Sequence, residues 1–144
     1  MTSVPDEPRV SPTFSLTLTV GKDAIDELGH ASNIAYVRWV QDVAKTHSER
    51  VGWDHAKYVA QGAVFVVRRY ELDYLGPAFE GDALRIDTFV STWSAASSIR
   101  KTKIVRGDAV LFTASTLWAF VSTDTGRPTR IPAAVRDAFA SAVD

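Results

Sequence analysis

The chain has 144 residues, a formal net charge of -1 and 46% hydrophobic residues, which fits one compact domain and argues against a two-domain enzyme. Sixteen Lys and Arg against seventeen Asp and Glu leave no basic field of the kind that binds nucleic acid, although a local basic cluster can still hold one anion. With no cysteine there is no disulfide, thiol nucleophile or thiolate metal site. The first residues lack a signal-peptide pattern, and no apolar run approaches the ~20 residues that span a bilayer, so a cytoplasmic protein without a membrane partner is expected.

Residues 1–12 carry Pro5, Pro8 and Pro12 among polar residues and read as an irregular leader, with a single domain over residues 13–144. Phe14, Leu16, Leu18 and Val20 alternate with Ser15, Thr17 and Thr19, the period of a strand with one buried face. Gly21 ends it. After a polar loop the period lengthens: Tyr36, Trp39, Val40, Val43, Ala44, His47 and Val51 recur at helical spacing, with Ser32 or Asn33 as N-cap and Gly52 as stop. Ile34 and Val37 add a second apolar flank, which suggests neighbours on more than one side.

From Ala63 to Ser122 the pattern is strand and turn. Strands are predicted around residues 66–72, 84–90, 99–105 and 110–120, separated by Gly76-Pro77 with Gly81-Asp82, by residues 93–97, and by the hairpin signal Gly107-Asp108. An antiparallel meander is the natural reading. Pro132 then opens a short C-terminal helix with Val135, Ala138 and Phe139 on one side. The fold class is therefore α+β, a five-stranded antiparallel sheet with one long helix that can cover only one face. Open edges and an uncovered face predict a homo-oligomer.

The conspicuous polar cluster lies ahead of the long helix. A carboxylate such as Asp26 there can neutralise the helix dipole and cap N–H groups, or can work beside those N–H groups as acid, base or nucleophile. His30 is open to both a structural and a catalytic role. The spacing Asp-x-x-Gly-His-x-x-Asn-x-x-Tyr-x-x-Trp, on Asp26, Gly29, His30, Asn33, Tyr36 and Trp39, resembles the helix-entry motif of the hotdog-fold thioesterases, the superfamily of 4-hydroxybenzoyl-CoA and acyl-ACP thioesterases. Tyr74, Pro77, Ala78, Gly81 and Asp82 are similar to the family's Tyr-x-x-Pro-Ala-x-x-Gly-Asp segment, and the stretch from Gly126 to Arg136 is similar to its C-terminal part.

The resemblance implies a hotdog fold, the sheet wrapped around the long helix, with a thioester-hydrolase site between two subunits of a dimer or, more fully, a homotetramer. Asp26 would be the general base for water or the nucleophile of a mixed anhydride. The Asn33 N–H would hold the developing oxyanion, His30 and Asn33 would shape the pocket, and Tyr36, with Tyr74, would line the substrate site. No cofactor or metal is implied beyond the CoA or phosphopantetheine of the substrate. The partner is a small acyl thioester, on CoA or on an acyl carrier protein.

Two departures qualify this. Where the 4-hydroxybenzoyl-CoA enzyme has a basic run that grips the nucleotide, residues 93–98 here are uncharged; any of Arg100, Lys101 and Lys103, further along, or Arg68 and Arg69, before them, is a candidate replacement, with solvated strand charges as the alternative. Gln41 stands where many relatives carry an acid, so no second catalytic carboxylate is expected from that position. Arg106-Gly107-Asp108 reads as a hairpin turn, and His47 and His55 are not at metal-ligand spacing. The rivals to thioester hydrolysis are an acyl-CoA hydratase or dehydratase and a non-catalytic acyl-thioester-binding domain.

Overall fold

The structure is a computed structural model that describes residues 8–143. The first seven residues of the expected leader lie outside the described residues. Strand β1 (Phe14–Thr19) is followed by a single 3-10 turn at Lys22–Ala24 and by the long helix α1 (Asn33–Arg50). A short helix α2 (His55–Gln61) leads into β2 (Ala63–Tyr74), β3 (Ala83–Trp93), β4 (Ser97–Arg106) and β5 (Ala109–Ser122), and helix α3 (Ala133–Phe139) closes the chain.

All five strands form one antiparallel sheet in the order β1-β3-β4-β5-β2. The expected meander holds only for β3, β4 and β5. Strand β2 does not pair with its sequence neighbour β3. It crosses the sheet and pairs with β5 from Ala63↔Ser122 to Tyr74↔Phe112, so that β1 and β2 are the two edges.

Helix α1 starts where Ser32 takes an extended conformation and its Oγ accepts the Ala35 N–H at 3.1 Å. Ala35, Tyr36, Trp39, Val40, Val43, Ala44 and His47 are its buried stripe and lie on the sheet. Helix α2 was not anticipated. Asp54 caps it through the Lys57 N–H at 2.8 Å, and Gly62, at φ 88°, ends it in the left-handed conformation that glycine adopts without strain.

The core is divided. One apolar cluster gathers under the first half of α1, around Phe14, Tyr36, Val40, Leu84, Ile86, Ile104 and Phe112. A second gathers under its far end, around Trp53, Tyr58, Val90, Phe120, Ile131, Val135 and Phe139. Between them the sheet turns polar: Thr88, Arg100, Thr102 and Thr116 point inward beneath His47, all buried.

Candidate active site

The loop ahead of α1 folds back on itself. Ile25 bridges Ala31, the Asp26 N–H donates to the His30 carbonyl at 3.0 Å, and the Gly29 N–H returns to the Asp26 carbonyl at 3.0 Å with Gly29 at φ 85°. Asp26 and His30 are thereby held opposite one another. The Asp26 Oδ1 accepts the Leu28 N–H at 2.8 Å, which fixes the carboxylate over its own turn. Two further bonds anchor the loop, Ala31 N–H to the Ala78 carbonyl at 2.8 Å and Ser32 N–H to the Ala24 carbonyl at 2.9 Å.

At the start of α1 the capping bonds satisfy Ala35 and Tyr36. Among the described residues nothing accepts the Asn33 or Ile34 N–H. These groups stand at the positive end of an 18-residue helix and are the natural donors for an incoming oxyanion.

Facing them is an open cleft of about 340 Å³ lined by His30, Asn33, Tyr36 and Tyr74, together with Ala31 and the 75–77 segment. Four of the seven residues singled out from the sequence thus share one cleft. Tyr36 is buried at its floor, with its hydroxyl donating to the Gly76 carbonyl at 3.0 Å; burial raises its phenol above the ordinary value of 10.0. Tyr74 is half-exposed and donates to the Asn33 carbonyl at 3.1 Å. His30 meets Phe79 edge-on at 6.5 Å. Asp26 borders the loop without lining the cleft.

The 74–82 segment is held by charge. Asp82 accepts the Phe79 N–H at 2.8 Å and Arg106 at 2.7 Å, and these two partners keep its carboxyl below the ordinary 3.8. Arg106 also donates to the Pro77 carbonyl at 3.0 Å, so this arginine of the β4–β5 turn clamps the cleft wall.

Arg100 and Lys101 are not in this cleft. Neighbours along β4 point to opposite faces, so Arg100 is buried under α1 while Lys101 is partly exposed on the other side. Within a chain the two side chains therefore stand on opposite faces of the sheet. Gln41 is also occupied, its amide donating to the Tyr70 hydroxyl at 2.8 Å.

Exposed apolar side chains surround the cleft: Leu28 at 77%, Ile34 at 74% and Leu75 at 60%. Missed from the sequence is a much larger cavity, about 820 Å³, at the far end of α1, bounded by α2, the first half of β2 and α3. Its walls come from all three helices and from strands β2 to β5, and no local spacing signals such a convergence.

No curated protein sequence matches the chain. Solved structures with the same fold include a 1,4-dihydroxy-2-naphthoyl-CoA thioesterase from Synechocystis, at TM-score 0.82 and 14% identity over 89% of this chain and 96% of that one. A probable thioesterase from Bartonella henselae aligns at TM-score 0.78 and 23% identity, over 84% of this chain and 100% of that one. A Staphylococcus aureus protein solved in complex with CoA aligns at TM-score 0.83 and 15% identity, over 94% and 86%. These show a shared fold, the hotdog fold. The sequence model of the thioesterase-like superfamily matches residues 20–139, from the end of β1 through the loop, α1 and the whole cleft to α3, and the chain belongs to that superfamily.

Proposed function

We propose that this protein hydrolyses acyl thioesters, with Asp26 as the catalytic carboxylate and the N-terminus of α1 as the oxyanion site. The observation that carries the reading is the pair of unclaimed N–H groups at Asn33 and Ile34, beside a loop that holds Asp26 and His30 against each other. As general base, Asp26 takes a proton from water as the water oxygen bonds to the thioester carbon. The carbonyl oxygen gains negative charge against the Asn33 N–H. The C–S bond then breaks, and the proton returns to the departing thiolate. In the alternative order the Asp26 oxygen attacks first and water cleaves the anhydride. Neither route needs a second acid, since a thiolate leaves readily.

The unit of function in this reading is a dimer. Strand β2 has one edge with no partner among the described residues. Two-fold antiparallel pairing of β2 with a second copy sets its Tyr74 end beside the partner's Ala63 end. The cleft of one chain then abuts the large cavity of the other, and the exposed Leu28, Ile34 and Leu75 gain a covering surface. Within one chain the Asn33 N–H is remote from the buried Arg100, because the rise from Asn33 to His47, against which Arg100 packs, is roughly 21 Å along α1. The CoA complex of a structural relative favours a CoA thioester over a carrier-bound one.

Replacing Asp26 with Asn tests the assignment, because the amide oxygen can still accept the Leu28 N–H and preserve the turn. Thiol release from a panel of acyl-CoAs should fall by about two orders of magnitude with the melting temperature unchanged, the size of effect expected for loss of a general base. Hydrolysis at the wild-type rate would overturn the reading.

A further inference from the structure

The large cavity is walled by aromatic side chains, Trp53, Tyr58, Phe65, Trp93, Trp118 and Phe139, and holds one charged group in its depth. Arg100 is 5% exposed. Its Nη1 donates to His47 Nδ1 at 2.9 Å and to Thr88 Oγ1 at 3.2 Å, and both partners are neutral. The other guanidinium nitrogens make no hydrogen bond with a described residue, and no described carboxylate forms an ion pair with Arg100. Asp42 and Lys45, the charged residues of α1 on the lining, are exposed at the mouth, one of each sign.

A guanidinium buried without a counter-charge is costly, and buried arginines are ordinarily paired. A second donor is also unsatisfied here: the Trp118 Nε1 is buried with no acceptor, and Trp118 lines the same cavity. An apolar chamber with an unpaired planar cation and a spare N–H complements an apolar ligand that ends in an oxyanion.

We propose that the cavity receives an acyl group whose far end carries a carboxylate, the half-thioester of a dicarboxylic acid, and that Arg100 selects it. The proposal rests on the thioesterase reading and sharpens it to a substrate class. The aromatic walls take the hydrocarbon spacer, and the terminal carboxylate pairs with Arg100. A neutral acyl group of equal length would leave the guanidinium desolvated and unpaired, which is the situation in which polar sites discriminate strongly.

The test compares kcat/KM for glutaryl-, adipyl- and suberyl-CoA with that for pentanoyl-, hexanoyl- and octanoyl-CoA. The wild-type protein should favour the carboxylated member of at least one matched pair by tenfold or more. In Arg100→Gln that ratio should collapse toward one, and Arg100→Lys should recover part of it. A wild-type ratio at or below one in every pair, with the neutral thioesters cleaved, would overturn the carboxyacyl assignment and leave thioester hydrolysis standing; this arm does not depend on any variant folding. A preserved ratio in a folded Arg100→Gln protein would equally overturn it. Cleavage of no member of the panel would overturn the thioesterase reading and the assignment together.

Discussion

Arg100 donates to His47 Nδ1 at 2.9 Å beneath α1, and the direction of that bond fixes the state of the histidine. Arginine has no acceptor, so Nδ1 must carry the lone pair and the ring proton must sit on Nε2. Protonating Nδ1 would set two donors face to face.

Burial, reinforced by the Arg100 charge, therefore lowers the His47 pKa from 6.5 to about 3. The unfolded chain binds this proton below pH 6.5 while the folded chain refuses it until about pH 3, so stability falls as pH drops through that window. Between pH 7.5 and pH 5 the loss amounts to about 2 kcal/mol. Urea unfolding at the two pH values measures it. The His47→Gln variant should lose most of this dependence, and an unchanged slope would mean that another group is responsible.

If Asp26 of one chain serves the cavity of the other, two defective chains can complement. Asp26→Asn and Arg100→Gln chains, co-expressed with different tags and purified as the mixed dimer, would contain one intact site and one doubly defective site. Activity on suberyl-CoA should recover to about half that of the wild-type dimer by two-fold symmetry. Recovery no better than either variant alone would locate both residues' action within a single chain.

Ser32 is the cap on which the proposed oxyanion site depends, since its Oγ holds the first turn of α1 in place. Ser32→Ala should lower stability by about 1 kcal/mol, read by thermal melting, and should reduce kcat more than it raises KM, because the donors act mainly on the transition state. A rise confined to KM would mean that the helix terminus binds substrate without assisting the chemistry.

Much of the architecture was legible because it is written locally. The alternation after Phe14, the helical spacing of Tyr36, Trp39, Val40 and Val43, and Gly107-Asp108 at the β4–β5 turn each coincide with an observed element. Strand order was not legible, since β2 finds β5 across the whole of β3 and β4 and nothing in Ala63–Tyr74 names that partner. The alternation of β2 also misleads: a register shift between Val67 and Arg69 changes parity, so the half-buried positions run Phe65, Val67, then Tyr70 and Leu72.

The site divides the same way. His30, Asn33 and Tyr36 lie within one loop and one helix turn, and their convergence with Tyr74 follows the motif. Arg100 is different. Both faces of β4 carry polar side chains, Arg100 and Thr102 on one and Lys101 and Lys103 on the other, so hydropathy could not say which face turns inward. Only the packing of α1 and α3 over the sheet decides it. Helix α2 was missed because its seven residues bury just Tyr58, too little for a period to show.

The last residues before β1 carry a practical consequence for anyone shortening this chain. Val10 and Ser11 lie against β3 beyond the reach of β1: both backbone N–H groups donate to the Val90 carbonyl, at 2.9 and 3.2 Å, and the Ser11 hydroxyl accepts the Val90 N–H at 2.8 Å. A truncation at Phe14 would keep every strand and helix, yet would strip that seal and orphan a buried amide at the sheet margin. Such a product invites edge-to-edge aggregation during expression, whereas a boundary placed before Val10 keeps the margin closed.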